Sequence, residues 1–240
     1  MENENKLKGT VIVTGSSKGI GKAIAEKFAA DNCTVLLCSR NETHLSKTAA
    51  KIQQQFPGAI IKSFPADLSD KNQVSAFGNW CLQQGIPEVL VNNAGHYLPG
   101  QIFDEPEGNL ESMMNTNFYS AYYLTRMLLP AMILNGKGHI FNVCSVAALG
   151  AYEGGGSYSI SKFALNGFSK NLRYELKQTG LKVTTVFPGA VKTDSWGDFD
   201  NSQNRIMEAT DIATLVIAAT KLSAQAVVEE IVIRPQLGDL

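Results

Sequence analysis

The sequence has no long hydrophobic run, no block of basic residues and no regularly spaced cysteines. Each absence removes a class of function. No apolar stretch reaches the roughly 18 residues of a membrane span, and the polar start MENENKLKG does not read as a secretory leader. A cytoplasmic protein with no membrane partner is therefore expected. A formal net charge of −1 offers no electrostatic footprint for nucleic acid. The four cysteines are Cys33, Cys38, Cys81 and Cys144; Cys38 and Cys144 sit inside apolar runs, which points to reduced, buried thiols. Histidine is scarce as well. His44, His96 and His139 lie far apart in the chain with no second ligand at metal spacing, so no metal site is expected.

What is present is an ordinary globular composition, 44% hydrophobic and 18% charged over 240 residues. That length suits one domain, residues 1–240, with a sizeable core, and no linker, repeat or low-complexity tract interrupts it.

The chain opens on a short apolar strand, GTVIVT (9–14), followed at once by TGSSKGIG (14–21) and an amphipathic run with Ile20, Ile24 and Phe28 four residues apart. Gly15, Gly19 and Gly21 allow a tight turn, a close approach of backbone to a pyrophosphate and close packing of helix on strand. The N–H groups at the helix start favour the anion. Ser17, Lys18 and Ile20 lie in the same loop. A glycine-rich structural turn is the plainer alternative. The second strand, CTVLLC (33–38), ends in Ser39-Arg40, where dinucleotide folds that take NAD carry an acidic residue for the ribose 2′-hydroxyl. A guanidinium here, with Lys18 in the loop, attracts a 2′-phosphate that a carboxylate would repel, so NADP(H) is expected over NAD(H). The alternative is that both are plain surface cations.

Helix 42–56 stops at Pro57-Gly58, and a third strand (59–64) leads to Asp67-Leu68. Asp67 is placed either to accept from an adenine amino group or to cap the next helix, 70–85. Strand EVLV (88–91) enters Asn93-Ala94-Gly95, small and amide residues at a strand's carboxyl end, where open parallel sheets bind ligands. A helical pattern over 106–134 is expected to break near Pro130. It holds Asn117 amid Phe118, Tyr119, Tyr122 and Tyr123, an aromatic group read as core or subunit interface. An asparagine in such a run needs partners for both ends of its amide.

Strand HIFNVC (139–144) delivers Ser145, followed by a glycine-rich turn and then by Tyr158 and Lys162. Their i, i+4 spacing on a helix running to about Thr179 puts phenol and ammonium on one face. A phenol with an ordinary pKa of about 10 holds its proton too tightly for chemistry at neutral pH. A lysine cation nearby favours the phenolate, and the helix N-terminus pushes the same way. Tyr-x-x-x-Lys alone is common on solvated helix faces; the surroundings carry the assignment. A strand at 183–187 ends in Pro188-Gly189, followed by Val191 and by Thr193, whose hydroxyl suits a carboxamide or phosphate. Residues 194–209, with Trp196, Phe199 and Met207, read as a flap over the site. Helix 210–222 and strand 229–234 close the chain, and the βα alternation predicts a doubly wound sheet.

Taken together, TGSSKGIG, Asp67, NNAG (92–95), Asn117, Ser145, YSISK (158–162), Pro188-Gly189 and Thr193 resemble the short-chain dehydrogenase/reductase family in its compact form, over about 8–235. The resemblance implies an α/β Rossmann-type sheet of seven parallel strands in the order 3-2-1-4-5-6-7, with helices on both faces. It implies hydride transfer between a nicotinamide and a small carbonyl or alcohol substrate. Tyr158 would be the acid/base, Ser145 would orient the substrate oxygen, Lys162 would bind the nicotinamide ribose, and Asn117 would hold a proton-path water. It also implies a homodimer or homotetramer through the aromatic helix and the Tyr158 helix.

Three features depart from the commonest pattern. The ending RPQLGDL lacks the Asp-Gly-Gly of the fatty-acid-synthesis reductases, which disfavours a 3-oxoacyl carrier-protein substrate, and the flap is short. Cys144 stands where a second serine is common, and is read as packing. A substrate like that of sepiapterin reductase stays open. So do two readings of another class, a non-catalytic NADP(H)-sensing regulator and a partner-binding scaffold that uses the aromatic helix.

Overall fold

The computed structural model describes residues 9–193 and 199–239. Seven parallel strands form one sheet in the order β3-β2-β1-β4-β5-β6-β7. They are β1 (Thr10–Thr14), β2 (Thr34–Ser39), β3 (Ile60–Pro65), β4 (Pro87–Asn92), β5 (Gly138–Val143), β6 (Leu181–Pro188) and β7 (Glu230–Ile233). The register runs Val11↔Val35 and Ile12↔Leu36 on one side of β1, and Val11↔Val89 and Ile12↔Leu90 on the other. The inner strands β1, β2, β4, β5 and β6 are mostly buried because helices cover the sheet on both faces, whereas the edge strands β3 and β7 are largely exposed or half-buried; period-two alternation divides the side chains between the faces. Val11, Val13, Val35 and Leu37 join one core with Ile24, Phe28 and Val216, whereas Ile12, Leu36, Leu90 and Ile140 join a second with Phe77, Leu124 and Leu172.

The first core is roofed by α1 (Gly19–Ala30), α2 (Glu42–Gln55) and α7 (Ala209–Thr220); the second by α3 (Lys71–Gln84), α5 (Ser120–Asn135) and α6 (Gly156–Glu175). A short α4 (Asn109–Met114) precedes α5. The chain leaves β1 toward β2 and β3, then returns across β1 to β4. The connections that leave the carboxyl ends of the neighbouring strands β1 and β4 therefore run toward opposite edges of the sheet and leave a crevice at the switch point.

The helical pattern over 106–134 is corrected in two ways. The helix starts at Asn109, and it runs through Pro130 to Asn135 instead of breaking there. Proline removes one hydrogen bond, but Leu128 and Met132 on either side are wholly buried, and their packing holds the helix together. The irregularity lies earlier, in a π-helical turn at Asn115–Tyr119 that joins α4 to α5. Of the segment read as a flap, the structure describes residues 199–209. Val191 bridges to Met207, Ile206 is buried, and Met207 packs on the first core instead of over the crevice. Trp196 lies outside the described residues. The four cysteines are buried, and burial raises the Cys33 thiol to about 12. No helix among the described residues is long and apolar enough to cross a membrane.

Candidate active site

Gly15 follows β1 directly with φ +63, a conformation that glycine adopts without strain. A Cβ there would stand 2.9 Å from Asn93 Nδ2, so the turn has no room for a side chain. Asn93 is what shapes it: Nδ2 donates to the carbonyls of Thr14 (2.9 Å) and Gly15 (3.1 Å), while the Thr14 hydroxyl accepts from the N–H groups of Asn93 and Ala94. Ser16 fastens the loop to β2 through Cys38 N–H, 3.0 Å. Gly15, Ser17, Lys18, Gly19 and Ile20 then line a groove of about 1000 Å³ along the carboxyl edge of the sheet. Gly21 does not line it. A Cβ on Gly21 would strike Gly15 O and Asn93 Nδ2, so this glycine seats α1 against the turn beneath the groove.

The groove continues past Ser39 and Arg40 at the end of β2 and Asp67 and Leu68 after β3. The Ser39 hydroxyl is buried with no hydrogen-bond partner among the described residues. Capping of α3 falls to Asp70, whose carboxylate accepts from Asn72 N–H, so that alternative for Asp67 is not realised. Asp67 instead closes its own turn, accepting from Ser69 N–H (3.0 Å) and Ser69 Oγ (2.8 Å). Asn93, Ala94 and Gly95 form the middle of the floor, and Pro188, Gly189, Val191 and Thr193 the far wall. A Cβ on Gly19 would lie 3.1 Å from the Thr193 methyl, which puts that wall over the glycine loop.

Ser145, Tyr158 and Lys162 come from two elements and meet at the other end of the same groove. Ser145 leaves β5 in extended conformation and caps a short helical turn (Val146–Ala148), its Oγ accepting from Ala147 N–H at 3.2 Å. Tyr158 and Lys162 share one face of α6, the ammonium 5.7 Å from the Tyr158 ring centre. Lys162 is 5% exposed and donates to the Val143 carbonyl at 3.1 Å. Cys144 does more than pack. Burial lifts its thiol to about 11, and that thiol donates to the Lys162 carbonyl at 3.1 Å, holding α6 against the end of β5. Ser159 Oγ, bonded to Ala147 O at 3.0 Å, ties the Ser145 turn to the same helix.

Asn117 does not line the groove but stands behind it in the π turn. Both ends of its amide are satisfied: Oδ1 accepts from His96 N–H (2.8 Å), and Nδ2 donates to His96 O (3.0 Å) and Ser161 Oγ (2.9 Å). Gly95 separates it from Lys162, since a Cβ there would lie 3.1 Å from Asn117 Oδ1 and 3.5 Å from Lys162 Nζ.

Several further residues line the groove. His44 and His96 both line it, though distant in the chain, while His139 is interior, stacked on Phe141. Burial, with the cations of Arg40 and Lys162, holds the His96 imidazole below the usual histidine range. Tyr97 sets its ring edge against Tyr158, centres 4.9 Å apart. Tyr152 faces both; burial first, then those two rings, push its phenol above the ordinary tyrosine range. Only contacts across the fold bring these side chains together, so no local spacing announced them.

The family described as short chain dehydrogenase matches residues 9–204. The chain belongs to the short-chain dehydrogenase/reductase family. This oxidoreductase is 34% identical over 243 aligned residues to the sepiapterin reductase of Chlorobaculum tepidum, covering 98% of this chain and 99% of that protein. It is 32% identical to an oxidoreductase of Staphylococcus saprophyticus, over 93% of this chain and 96% of that one. Among solved structures, a metagenomic short-chain oxidoreductase in complex with NADP superposes with a TM-score of 0.84 at 30% identity, over 97% and 99% of the two chains. A short-chain dehydrogenase from Sphingobium yanoikuyae, in complex with NADPH, does so at 0.82 and 26%, over 96% and 89%.

Proposed function

We propose that this enzyme interconverts a ketone or aldehyde and its alcohol with NADP(H), and that Tyr158 is the acid/base. The observation that carries the reading is one continuous groove with a glycine loop at one end and Ser145, Tyr158 and Lys162 at the other. The residues present fit a dinucleotide. Gly15 and Gly21 have no room for a side chain, and among the described residues the buried Ser39 hydroxyl has no partner where a 2′-phosphate would lie. Gly15 to Ile20 would hold the pyrophosphate against the start of α1, with Gly21 as its support. Ser39, Arg40 and Lys18 would take the 2′-phosphate, and Asp67 and Leu68 the adenine. Asn93 to Gly95 would leave room for the rings, and Pro188, Gly189, Val191 and Thr193 would receive the carboxamide side.

When bound, the nicotinamide supplies or takes up the hydride. The protein's part is to hold the substrate oxygen and move its proton. Ser145 Oγ and Tyr158 Oη donate to that oxygen, so negative charge developing on it meets two preset dipoles. Tyr158 Oη passes the proton across. Lys162 Nζ, held by Val143 O, stands beside the phenol and would bind the ribose with its other donors. A water between Lys162 and Asn117 at Gly95 would return the proton from solvent.

The Arg40 assignment has a direct test. Arg40→Asp is expected to weaken NADPH binding about 10- to 100-fold, the weight of hydrogen bonds to a charged group, and to improve NADH binding. A native protein that binds NADH more tightly than NADPH would overturn the preference. A screen of ketones, aldehydes, 3-hydroxy acids and pterins, read by nicotinamide absorbance, tests the reaction. Turnover of at least one carbonyl supports it, and NADPH binding without turnover of any would leave the regulator reading instead. The aromatic wall of Tyr97, Tyr152 and Tyr158 favours a flat, conjugated carbonyl within that panel, and hence supports a pterin-like substrate as the second reading. The aromatic face of Tyr119, Tyr122, Tyr123 and Phe168 we assign to a homodimer or homotetramer, which light scattering reads directly. We keep residues 1–240 as one domain.

A further inference from the structure

We infer that Glu105 is a positioning residue for Tyr158, acting as the missing N-terminal cap of α6 from another part of the chain; the inference rests on Tyr158 being the acid/base. Helix α6 has no cap of its own. Its N-cap is Gly155, which offers no side chain, and its first turn contains no acidic residue. The first N–H groups of a helix need acceptors, and a carboxylate is the favoured one at that end. Glu105, 52 residues earlier, supplies it: Oε2 accepts from Ser157 N–H at 3.3 Å and Oε1 from Ser157 Oγ. Ser157 is 1% exposed and is the residue immediately before Tyr158.

The backbone around this contact is shaped to admit it. Gly156 has φ +33, and a Cβ on it would strike Gly100 O and lie 3.0 Å from Glu105 Oε2. Gly100 N–H donates to Gly154 O at 3.2 Å, so the loop over 96–105 is latched to the turn before α6 at two points. The same loop carries His96, bonded to Asn117, and Tyr97, packed on Tyr158. One carboxylate thus sets the start of the helix that holds Tyr158 and anchors the loop that forms its other wall. The Glu105 carboxylate touches neither the groove's reacting end nor the proposed dinucleotide residues, so its removal should move the tyrosine and leave cofactor binding alone.

The experiment compares Glu105→Ala, Glu105→Gln and Tyr158→Phe, with phenanthrenequinone as the carbonyl probe and NADPH binding followed by fluorescence. Glu105→Ala is expected to lower kcat about ten-fold or more, because a displacement of about 1 Å at a reacting group costs up to about 100-fold. Its NADPH affinity should stay within about two-fold. Glu105→Gln keeps an acceptor for Ser157 N–H and a donor for Ser157 Oγ, and should restore most of kcat. Native kcat in Glu105→Ala would overturn the inference. So would a fall in kcat matched by loss of NADPH affinity and not rescued by glutamine, which is the mark of a purely structural role. If Glu105→Ala does not fold, a Glu105→Gln protein with kcat as low as that of Tyr158→Phe would overturn it equally. Should Tyr158→Phe itself turn over normally, the acid/base reading falls, and that outcome is distinct from an inactive Tyr158→Phe beside an unaffected Glu105→Ala.

Discussion

Tyr158→Phe is expected to bind NADPH with native affinity and to lose about 10²- to 10⁴-fold in kcat, the usual worth of a positioned acid/base. The substitution removes one oxygen. The ring keeps its edge contact with Tyr97 and its place on α6, so the groove should keep its shape. What disappears is the donor that meets charge on the substrate oxygen and the group that carries its proton. Ser145 remains as a single donor, which accounts for a residual rate above zero. Tyr152, the neighbouring phenol, is not a substitute, because burial holds its proton more tightly than an ordinary tyrosine does. Steady-state kinetics with a titration of NADPH fluorescence separates the two effects, and near-native kcat would refute the assignment.

Lys162→Met should fail in both measurements. Methionine matches the length and apolar stem of lysine, so the buried channel stays filled while charge and donors go. Hydrogen bonds to charged groups contribute about 1.5–3 kcal/mol. NADPH affinity is therefore expected to fall about 10- to 100-fold through the lost ribose contact. At saturating NADPH, kcat should still be low, because the cation 5.7 Å from the Tyr158 ring is gone. A variant with native cofactor affinity would remove Lys162 from the ribose, and one with native kcat at saturation would remove it from the proton path. Thermal melting is a needed control, since the Lys162 ammonium also donates to Val143 O.

Much of this was legible in advance because it is local. Strand, glycine turn and helix follow one another within about 20 residues at the start, and the φ +63 turn at Gly15 is the kind that only a few residues accept. Tyr158 and Lys162 share a helix face by spacing alone. Seven apolar segments with helical runs between them imply a parallel sheet covered on both sides. Other features were not legible. Pro130 reads as a break, yet the helix passes through it, since packing of Leu128 and Met132 outweighs one missing hydrogen bond. That Met207 would pack on the first core through its bridge to Val191 had no local signal either.

The order of residues by itself determined the strand sequence, the glycine loop and the pairing of phenol with ammonium, since each depends on backbone conformation and periodicity over a few neighbours. Only the tertiary structure decided which side chains share the groove. Glu105 reaching Ser157, Cys144 bonding Lys162, Asn117 clasping His96 and the meeting of Tyr97 with Tyr152 and Tyr158 all join segments brought together by the packed sheet. Contacts of that kind leave no period in a sequence, because their spacing along the chain is set by the lengths of whole strands and helices and not by the geometry of one of them.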